Sequence, residues 1–101
     1  MERKRNTDAK GQPFTPKVIT DAWRRASLIN GVDPDQFRRD ACGAKIRKDS
    51  YGTTGEFGWE IDHIKPVSGG GTDHKSNLQP LHWANNMHKG DGTGLPCKKK
   101  S

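Results

Sequence analysis

The sequence predicts a small α+β domain, and three observations lead to that class. An alternating apolar and polar pattern over residues 59–64 is typical of a short half-buried strand. Helical periodicity precedes this strand over residues 16–29 and follows it after Pro80. With 101 residues, of which 29% are hydrophobic, the chain suffices for one domain with a thin core. Such a domain needs a metal, a partner or efficient use of its three Trp and three Phe residues.

The first helix is predicted to begin at Thr15-Pro16. Thr15 is a favourable N-cap, and Pro16 stands at the first helical position, where a missing N–H costs nothing. Apolar residues recur at three- and four-residue steps over residues 18–29, with charged residues between them. Asn30-Gly31 is a favourable C-terminal stop, and we expect this amphipathic helix to end there.

The region before the central strand contains one further helix signal. The Asp33-Pro34 pair repeats the start pattern and predicts a short second helix through about Arg39. Residues 44–47 are predicted to form a short strand, and residues 48–58, which contain three glycines, a loop.

After the central strand the chain is predicted to double back and then to form a helix. Residues 68–73 are a glycine turn, and residues 76–81 return as a short extended piece. The helix opens at residue 80 or 81 and ends at Lys89-Gly90. Asn85 and Asn86 lie in its middle, where Asn is a poor helix former. Ligation of a metal ion by the Asn86 amide oxygen would explain one of them.

The charge balance points to a polyanionic partner, because the formal net charge is +6 and the sequence pI is about 9.6. Residues 1–50 carry 12 Lys and Arg against 7 Asp and Glu, whereas residues 51–101 carry 6 against 5. The basic surface is therefore expected mainly on the N-terminal half. Arg38 and Arg39 could contact phosphate or pair with Asp40, and a solvated basic face would give the same composition.

The two cysteines, Cys42 and Cys97, argue against a zinc ribbon, because no Cys-x-x-Cys pair occurs. Cys42 is most simply a small buried hydrophobe, and a disulfide between the two cysteines stays open. No apolar run reaches the roughly 18 residues needed to span a bilayer, and no signal-peptide pattern follows the basic start. We expect a soluble cytoplasmic protein without membrane contact.

Asp62 and His63 stand side by side at the end of the central strand. A carboxylate is a hard ligand for a divalent cation, and a neutral imidazole can take a proton near pH 7. Adjacent strand residues point to opposite faces, so one side chain could hold a metal while the other faces a water. An isolated Asp-His pair is more often the solvent-exposed end of a strand than a functional site. The residues that follow in the chain make a functional site the better interpretation here.

Several separate segments together resemble the HNH endonuclease motif, in the variant with Asn as the third named residue. They are Asp62-His63-Ile64-x-Pro66, Gly70-Gly71, Asn77-Leu78-Gln79 and Asn86-x-x-Lys89-Gly90-Asp91. The resemblance covers roughly residues 57–91. The upstream segments Arg39-Asp40-x-Cys42-Gly43, Tyr51-Gly52 and Gly58-Trp59-Glu60 are similar to small stand-alone HNH proteins of bacteria and their phages.

The resemblance implies a ββα-metal finger, which is a β-hairpin followed by a helix that holds one divalent ion. We expect four segments. A flexible basic arm spans residues 1–13, a helical extension and loop residues 14–56, the finger residues 57–91, and a basic tail residues 92–101.

The resemblance also assigns roles to five side chains of this sequence. Asp62 and Asn86 are the implied metal ligands, and His63 is the implied general base that activates water. Asn77 is expected to fix the loop and the orientation of the catalytic histidine. Lys89 is expected to make either a phosphate contact or a structural one.

The implied activity is metal-dependent hydrolysis of DNA phosphodiester bonds, by nicking or by weakly selective cleavage, to 5′-phosphate and 3′-hydroxyl ends. The expected ion is Mg²⁺ or Mn²⁺, and Ni²⁺, Co²⁺ and Zn²⁺ are compatible. The expected DNA-contacting side chains are Arg38, Arg39, Arg47 and Lys65. We expect a bacterial or phage-encoded monomer or weak dimer whose partners are DNA and, in a phage, the packaging machinery.

Two other interpretations stay open. The finger could be a non-catalytic DNA-binding or packaging accessory module on the same scaffold, or Cys42 and Cys97 could bind a structural metal with some of the histidines. Many HNH proteins bind a structural zinc through two Cys-x-x-Cys pairs, and His82 and Asn85 occupy the places of one pair here. Colicin-type nucleases have a third histidine ligand where this chain has Gly90, which disfavours zinc as the catalytic ion.

Overall fold

A computed structural model describes residues 3–90, 92, 94 and 97–101, and within these residues it contains two α-helices and two antiparallel hairpins. In chain order the elements are α1 (Pro16–Trp23), β1 (Phe37–Arg39), β2 (Lys45–Arg47), β3 (Trp59–His63), β4 (Leu78–His82) and α2 (Trp83–Lys89). The predicted α+β class is confirmed. Neither helix in this part of the chain is long and apolar enough to cross a membrane.

Helix α1 begins as predicted but ends at Trp23, so the predicted end at Asn30 is wrong. The Thr15 hydroxyl accepts a hydrogen bond from the Val18 N–H at 3.3 Å, which is the expected N-cap. Beyond Trp23 the chain leaves the helix to pair with β1. The N–H of Ser27 donates to the carbonyl of Arg39 at 2.8 Å, and the N–H of Arg39 donates back at 2.9 Å.

The second helix predicted after Asp33 is also wrong, because Phe37–Arg39 is strand β1 and pairs with the predicted strand β2. The Asp33 side chain caps only a turn, accepting from the N–H of Asp35 at 2.9 Å. The hairpin reverses at Asp40, whose carboxylate accepts from the N–H groups of Cys42 and Ala44 at 2.9 and 2.8 Å.

The hydrophobic core lies between α1 and the β3–β4 hairpin. Trp23 and Trp59 are fully buried, and their ring centroids are 5.4 Å apart. Tyr51 packs edge-on against Trp59 at 4.9 Å. Aromatic rings bury a large area each, so a few of them compensate for the low hydrophobic content.

The β3–β4 hairpin runs directly into α2. Trp59 pairs with His82 and His63 with Leu78 across the hairpin. The ring nitrogen Nδ1 of His82 accepts from the N–H of Ala84 at 3.1 Å and caps α2. The helix therefore begins at Trp83, later than predicted, because residues 80 and 81 still belong to β4.

The loop between β3 and β4 doubles back as predicted, and two features close it. Gly70 has a positive φ of 94°, and a side chain at Gly71 would overlap the carbonyl of Lys65. The Asn77 amide donates to the carbonyls of Lys65 and Thr72 at 3.1 and 2.8 Å, and its oxygen accepts from the N–H of Lys65 at 2.8 Å.

A disulfide between Cys42 and Cys97 joins the C-terminal segment to the β1–β2 turn. Asn85 reinforces this link. Its amide oxygen accepts from the N–H groups of Lys98 and Lys99 at 2.9 and 2.6 Å, and its NH₂ group donates to Asp40 at 3.0 Å. This network supplies the physical reason for Asn85 in the middle of α2.

The N-terminal segment, for which the sequence predicts a flexible basic arm, lies along β3 and contacts Glu60 and Ile61. The Arg5 guanidinium forms an ion pair with Glu60 at 2.6 Å. Asn6, which has a positive φ of 62°, accepts from the N–H of Ile61 at 2.8 Å and from the Tyr51 hydroxyl at 2.9 Å. The arm thus covers part of an edge that β4 does not pair.

A Gly71→Ala substitution is expected to lower the free energy of unfolding by about 1–3 kcal/mol, because the added Cβ overlaps backbone that cannot rotate away. Gly69→Ala is the matched control in the same loop, where a Cβ has open space, and its expected effect is within about 0.5 kcal/mol. Urea unfolding of both variants measures the difference. Equal midpoints for the two would contradict the loop closure described above.

Candidate active site

All five residues of β3 are buried, although Glu60, Asp62 and His63 are polar. Side chains alternate across a strand, so Glu60 and Asp62 share one face while His63 lies on the other. Helix α2 covers the first face, and Phe14 approaches the second, with its ring centroid 6.0 Å from that of His63. Each of the three polar side chains therefore needs a partner from another segment.

The Asp62 carboxylate has two such partners. The Lys89 ammonium lies 3.1 Å from Oδ1, and the Gln79 amide donates to Oδ2 at 2.9 Å. Burial raises the pKa of the Asp62 carboxyl above its ordinary value, and the hydrogen bond from Gln79 and the charge of Lys89 oppose this rise. A divalent cation on this carboxylate would also favour its ionised form.

Lys89 points into the protein and not toward solvent. Its side chain is 2% exposed, and its ammonium donates to the carbonyl of His63 at 3.0 Å as well as contacting Asp62. Of the two roles predicted for Lys89, this placement favours the structural contact, since no DNA phosphate reaches a buried ammonium held in this way.

Asn86 is held by a chain of contacts that starts in the N-terminal arm. Its NH₂ group donates to Oε1 of Glu60 at 2.8 Å. Glu60 in turn accepts two hydrogen bonds from Arg5, at 2.6 and 3.2 Å. An ionised carboxylate only accepts hydrogen bonds, so Glu60 fixes which end of the amide faces it. The amide oxygen is then the atom of Asn86 that could bind an ion.

The oxygen atoms of Asp62 and Asn86 fit a weakly held hard cation. Asp62 and Asn86 would offer one oxygen each, while Glu60 is engaged by Arg5. Over the residues that the structure describes, no three His, Cys, Asp or Glu side chains are grouped to hold a metal. Mg²⁺ and Mn²⁺ tolerate few protein ligands because water and phosphate complete their coordination, whereas a structural zinc site needs four protein ligands.

The His63 ring contacts the carboxylate of Asp73. Its Nε2 lies 2.7 Å from Oδ1 of Asp73, and its side chain is 3% exposed. Asn77 holds the backbone on both sides of this contact through Lys65 and Thr72. The catalytic roles expected for His63 and Asn77 stay predictions, and the structure places both residues at one end of the β3–β4 hairpin.

Three partners in this site were missed at the sequence level: Arg5, Glu60 and Asp73. Glu60 could have been found, because it stands two residues before Asp62 and therefore on the same strand face. Arg5 and Asp73 carry no periodic signal. The sequence separation of Arg5 from Glu60 is 55 residues.

The four side chains predicted to contact DNA are divided between two environments. Arg38 donates to the carbonyls of Pro34 and Arg24 at 2.8 and 3.2 Å, and Arg39 donates to Gly43 at 2.9 Å. Neither pairs with Asp40, which settles the alternative of an ion pair there. The other two, Arg47 and Lys65, are exposed. Their contact with DNA stays a prediction.

The β3–β4 hairpin, whose first strand ends in Asp62-His63, passes directly into α2, which carries Asn86 and Lys89. This order of elements is that of a ββα fold. The family model described as HNH endonuclease matches residues 40–92, more than half of the chain. The chain belongs to the HNH endonuclease family, which suggests nuclease activity in general. The match begins in the β1–β2 turn, before the predicted finger boundary at residue 57. Neither a curated protein nor a solved structure matches this chain.

Lys89→Met is expected to lower the free energy of unfolding by about 3–5 kcal/mol, because it leaves the Asp62 carboxylate buried without its ammonium partner. Lys17→Met is the matched control, since Lys17 forms an ion pair with Asp21 but is 85% exposed. Its expected effect is within about 0.5 kcal/mol. Thermal and urea unfolding of both variants without added metal test the difference, and a small effect at Lys89 would mean that the buried pair is not formed.

Proposed function

We propose that this protein is a metal-dependent endonuclease that hydrolyses DNA phosphodiester bonds, with His63 as the general base. The observation that carries the proposal is the placement of His63 beside Asp62 on one buried strand. His63 lies on one face of β3, and Asp62 lies on the other face, which Asn86 of α2 meets through Glu60. The candidate proton acceptor and the two candidate oxygen ligands are therefore held by β3 and the helix packed against it.

His63 would take the proton of the attacking water, a contribution of about 10²–10⁴-fold for a positioned general base. An ion held by Asp62 and Asn86 would supply Lewis-acid stabilisation of the phosphate and of the leaving 3′ oxygen. Lys89 keeps the Asp62 carboxylate in place, and Glu60 binds the NH₂ group of Asn86, which leaves the amide oxygen for an ion. The chain thus uses buried hydrogen bonds to preorganise its side chains.

DNA as the substrate is supported by the family and by the net charge of +6. Arg38 and Arg39 donate to backbone carbonyls and form no ion pair with a described carboxylate, so their charge is available to phosphate. Contacts of this kind position a duplex without reading its sequence. We therefore propose nicking or weakly selective cleavage, with any sequence selection supplied by a partner such as a phage packaging machinery.

The test is cleavage of supercoiled plasmid by the wild type and by His63→Ala, with Mg²⁺, with Mn²⁺ and with EDTA. His88→Ala is the matched control, because His88 is exposed on α2. We expect metal-dependent nicking that falls about 10²–10⁴-fold in His63→Ala and is unchanged in His88→Ala.

Cleavage that survives in His63→Ala would overturn the assignment of the base. No cleavage by any variant, together with salt-dependent DNA binding in a gel shift, would replace the proposal with a non-catalytic DNA-binding module.

A further inference from the structure

The ring of His63 is bound by a carboxylate that lies outside every segment of the motif. Asp73 Oδ1 is 2.7 Å from His63 Nε2. An ionised carboxylate only accepts, so when His63 is neutral its single ring proton must lie on Nε2. The other nitrogen, Nδ1, then carries the lone pair that a general base needs. The contact therefore selects one tautomer of the two.

Asp73 is itself held from two sides. The main-chain N–H of Ala9 donates to both carboxylate oxygens, at 3.0 and 3.1 Å. Within the arm, the Asp8 carboxylate accepts hydrogen bonds from the N–H groups of Lys10 and Gln12 at 2.9 and 2.8 Å. The N–H of Ala9 does not take part in this turn and donates to Asp73 instead. The turn in the arm thus places the Ala9 N–H where it donates to the Asp73 carboxylate of the β3–β4 loop.

The loop backbone fixes Asp73 from its other side. The Asn77 amide donates to the carbonyl of Thr72, the residue that precedes Asp73, at 2.8 Å. Gly71 brings the loop against the backbone of Lys65 so closely that no side chain fits there. Motif positions Gly71 and Asn77 therefore have a definite consequence, which is to present the Asp73 carboxylate to His63.

We propose that Asp73, anchored by the N–H of Ala9, is the positioning residue of His63 and that the N-terminal arm is part of the active site. Asp73 holds the imidazole with Nε2 protonated, and its negative charge lies beside the ring when Nδ1 takes a proton from water. The arrangement parallels the carboxylate–histidine pairs of other hydrolases. The catalytic half of this inference rests on the proposed function, whereas the tautomer of His63 does not.

The primary experiment is ¹⁵N NMR of the histidine side chains in the full chain without metal, with His63→Ala to assign the resonances. In the wild type we expect His63 as a single tautomer with Nε2 protonated. Asp73→Ala should give a mixture of both tautomers and lower kcat of plasmid nicking by about 10–100-fold with KM unchanged. Asp21→Ala is the matched control, since the Asp21 side chain is 39% exposed and that of Asp73 41%.

A second variant isolates the arm. Ala9→Pro deletes the N–H that binds Asp73, while Pro suits the second position of the turn that Gly11 closes on Asp8. Ala9→Gly is its control, because it keeps the N–H. We expect Ala9→Pro to shift the His63 tautomer in the same direction as Asp73→Ala, by a smaller amount, and Ala9→Gly to leave it unchanged.

A His63 tautomer that does not respond to Asp73→Ala, while wild-type protein nicks DNA, would overturn this inference and leave the proposed function standing. If Asp73→Ala shifts the His63 tautomer but the wild-type protein never cleaves DNA, the positioning of His63 by Asp73 is supported and the proposed nuclease activity is contradicted.

Discussion

Strand β3 imposes the constraint on which the rest of the structure depends. It is buried along its whole length, yet three of its five side chains are polar. Buried polar groups without partners cost about 1–3 kcal/mol each, and unpaired charges cost more. Arg5 and Asn86 satisfy Glu60, Lys89 and Gln79 satisfy Asp62, and Asp73 satisfies His63. The arm, the glycine loop, β4 and α2 therefore all converge on this strand.

The residues that supply partners for the buried polar side chains of β3 also define the candidate site. The structure leaves no described buried side-chain nitrogen or oxygen without a hydrogen-bond partner. A network satisfied in this way is rigid, and the proposed general base and ion ligands would require such rigidity. In this chain, stability and preorganisation have one physical origin.

The C-terminal side of the finger is held together by a covalent link and hydrogen bonds. The resemblance to HNH proteins would align His82 and Asn85 with one pair of zinc-binding cysteines found in many of them. Here His82 caps α2 and contacts the carbonyl of Glu56 at 2.8 Å, while Asn85 binds Asp40 and the tail. The disulfide closes the same region. Disulfides are uncommon in the cytoplasm, the location expected from the sequence, and that location stays a prediction.

The sequence predicted the features that depend on local pattern. The position of strand β3, the cap of α1 at Thr15, the glycine turn and the end of α2 at Lys89 are all confirmed. The predicted half-burial of β3 is wrong, because partners from other segments allow its polar residues to be buried as well. The end of α1 and the strand β1 were predicted wrongly, because the pairing of Ser27 with Arg39 overrides local helix signals.

The partners of the site could not be predicted for a related reason. Asp73 and Ala9 are 64 residues apart in the chain, and neither belongs to a repeating pattern. Such contacts follow from tertiary placement alone. The motif residues were therefore recognisable from the sequence, whereas the side chains that contact them became visible only in the folded chain.

The site of ion binding is tested most directly by Mn²⁺-induced broadening of amide NMR resonances. We predict selective broadening at residues 60–63 and 85–89, and its loss in Asp62→Ala. Broadening centred elsewhere in the chain, or unchanged by that substitution, would contradict an ion held by Asp62 and Asn86 beside His63.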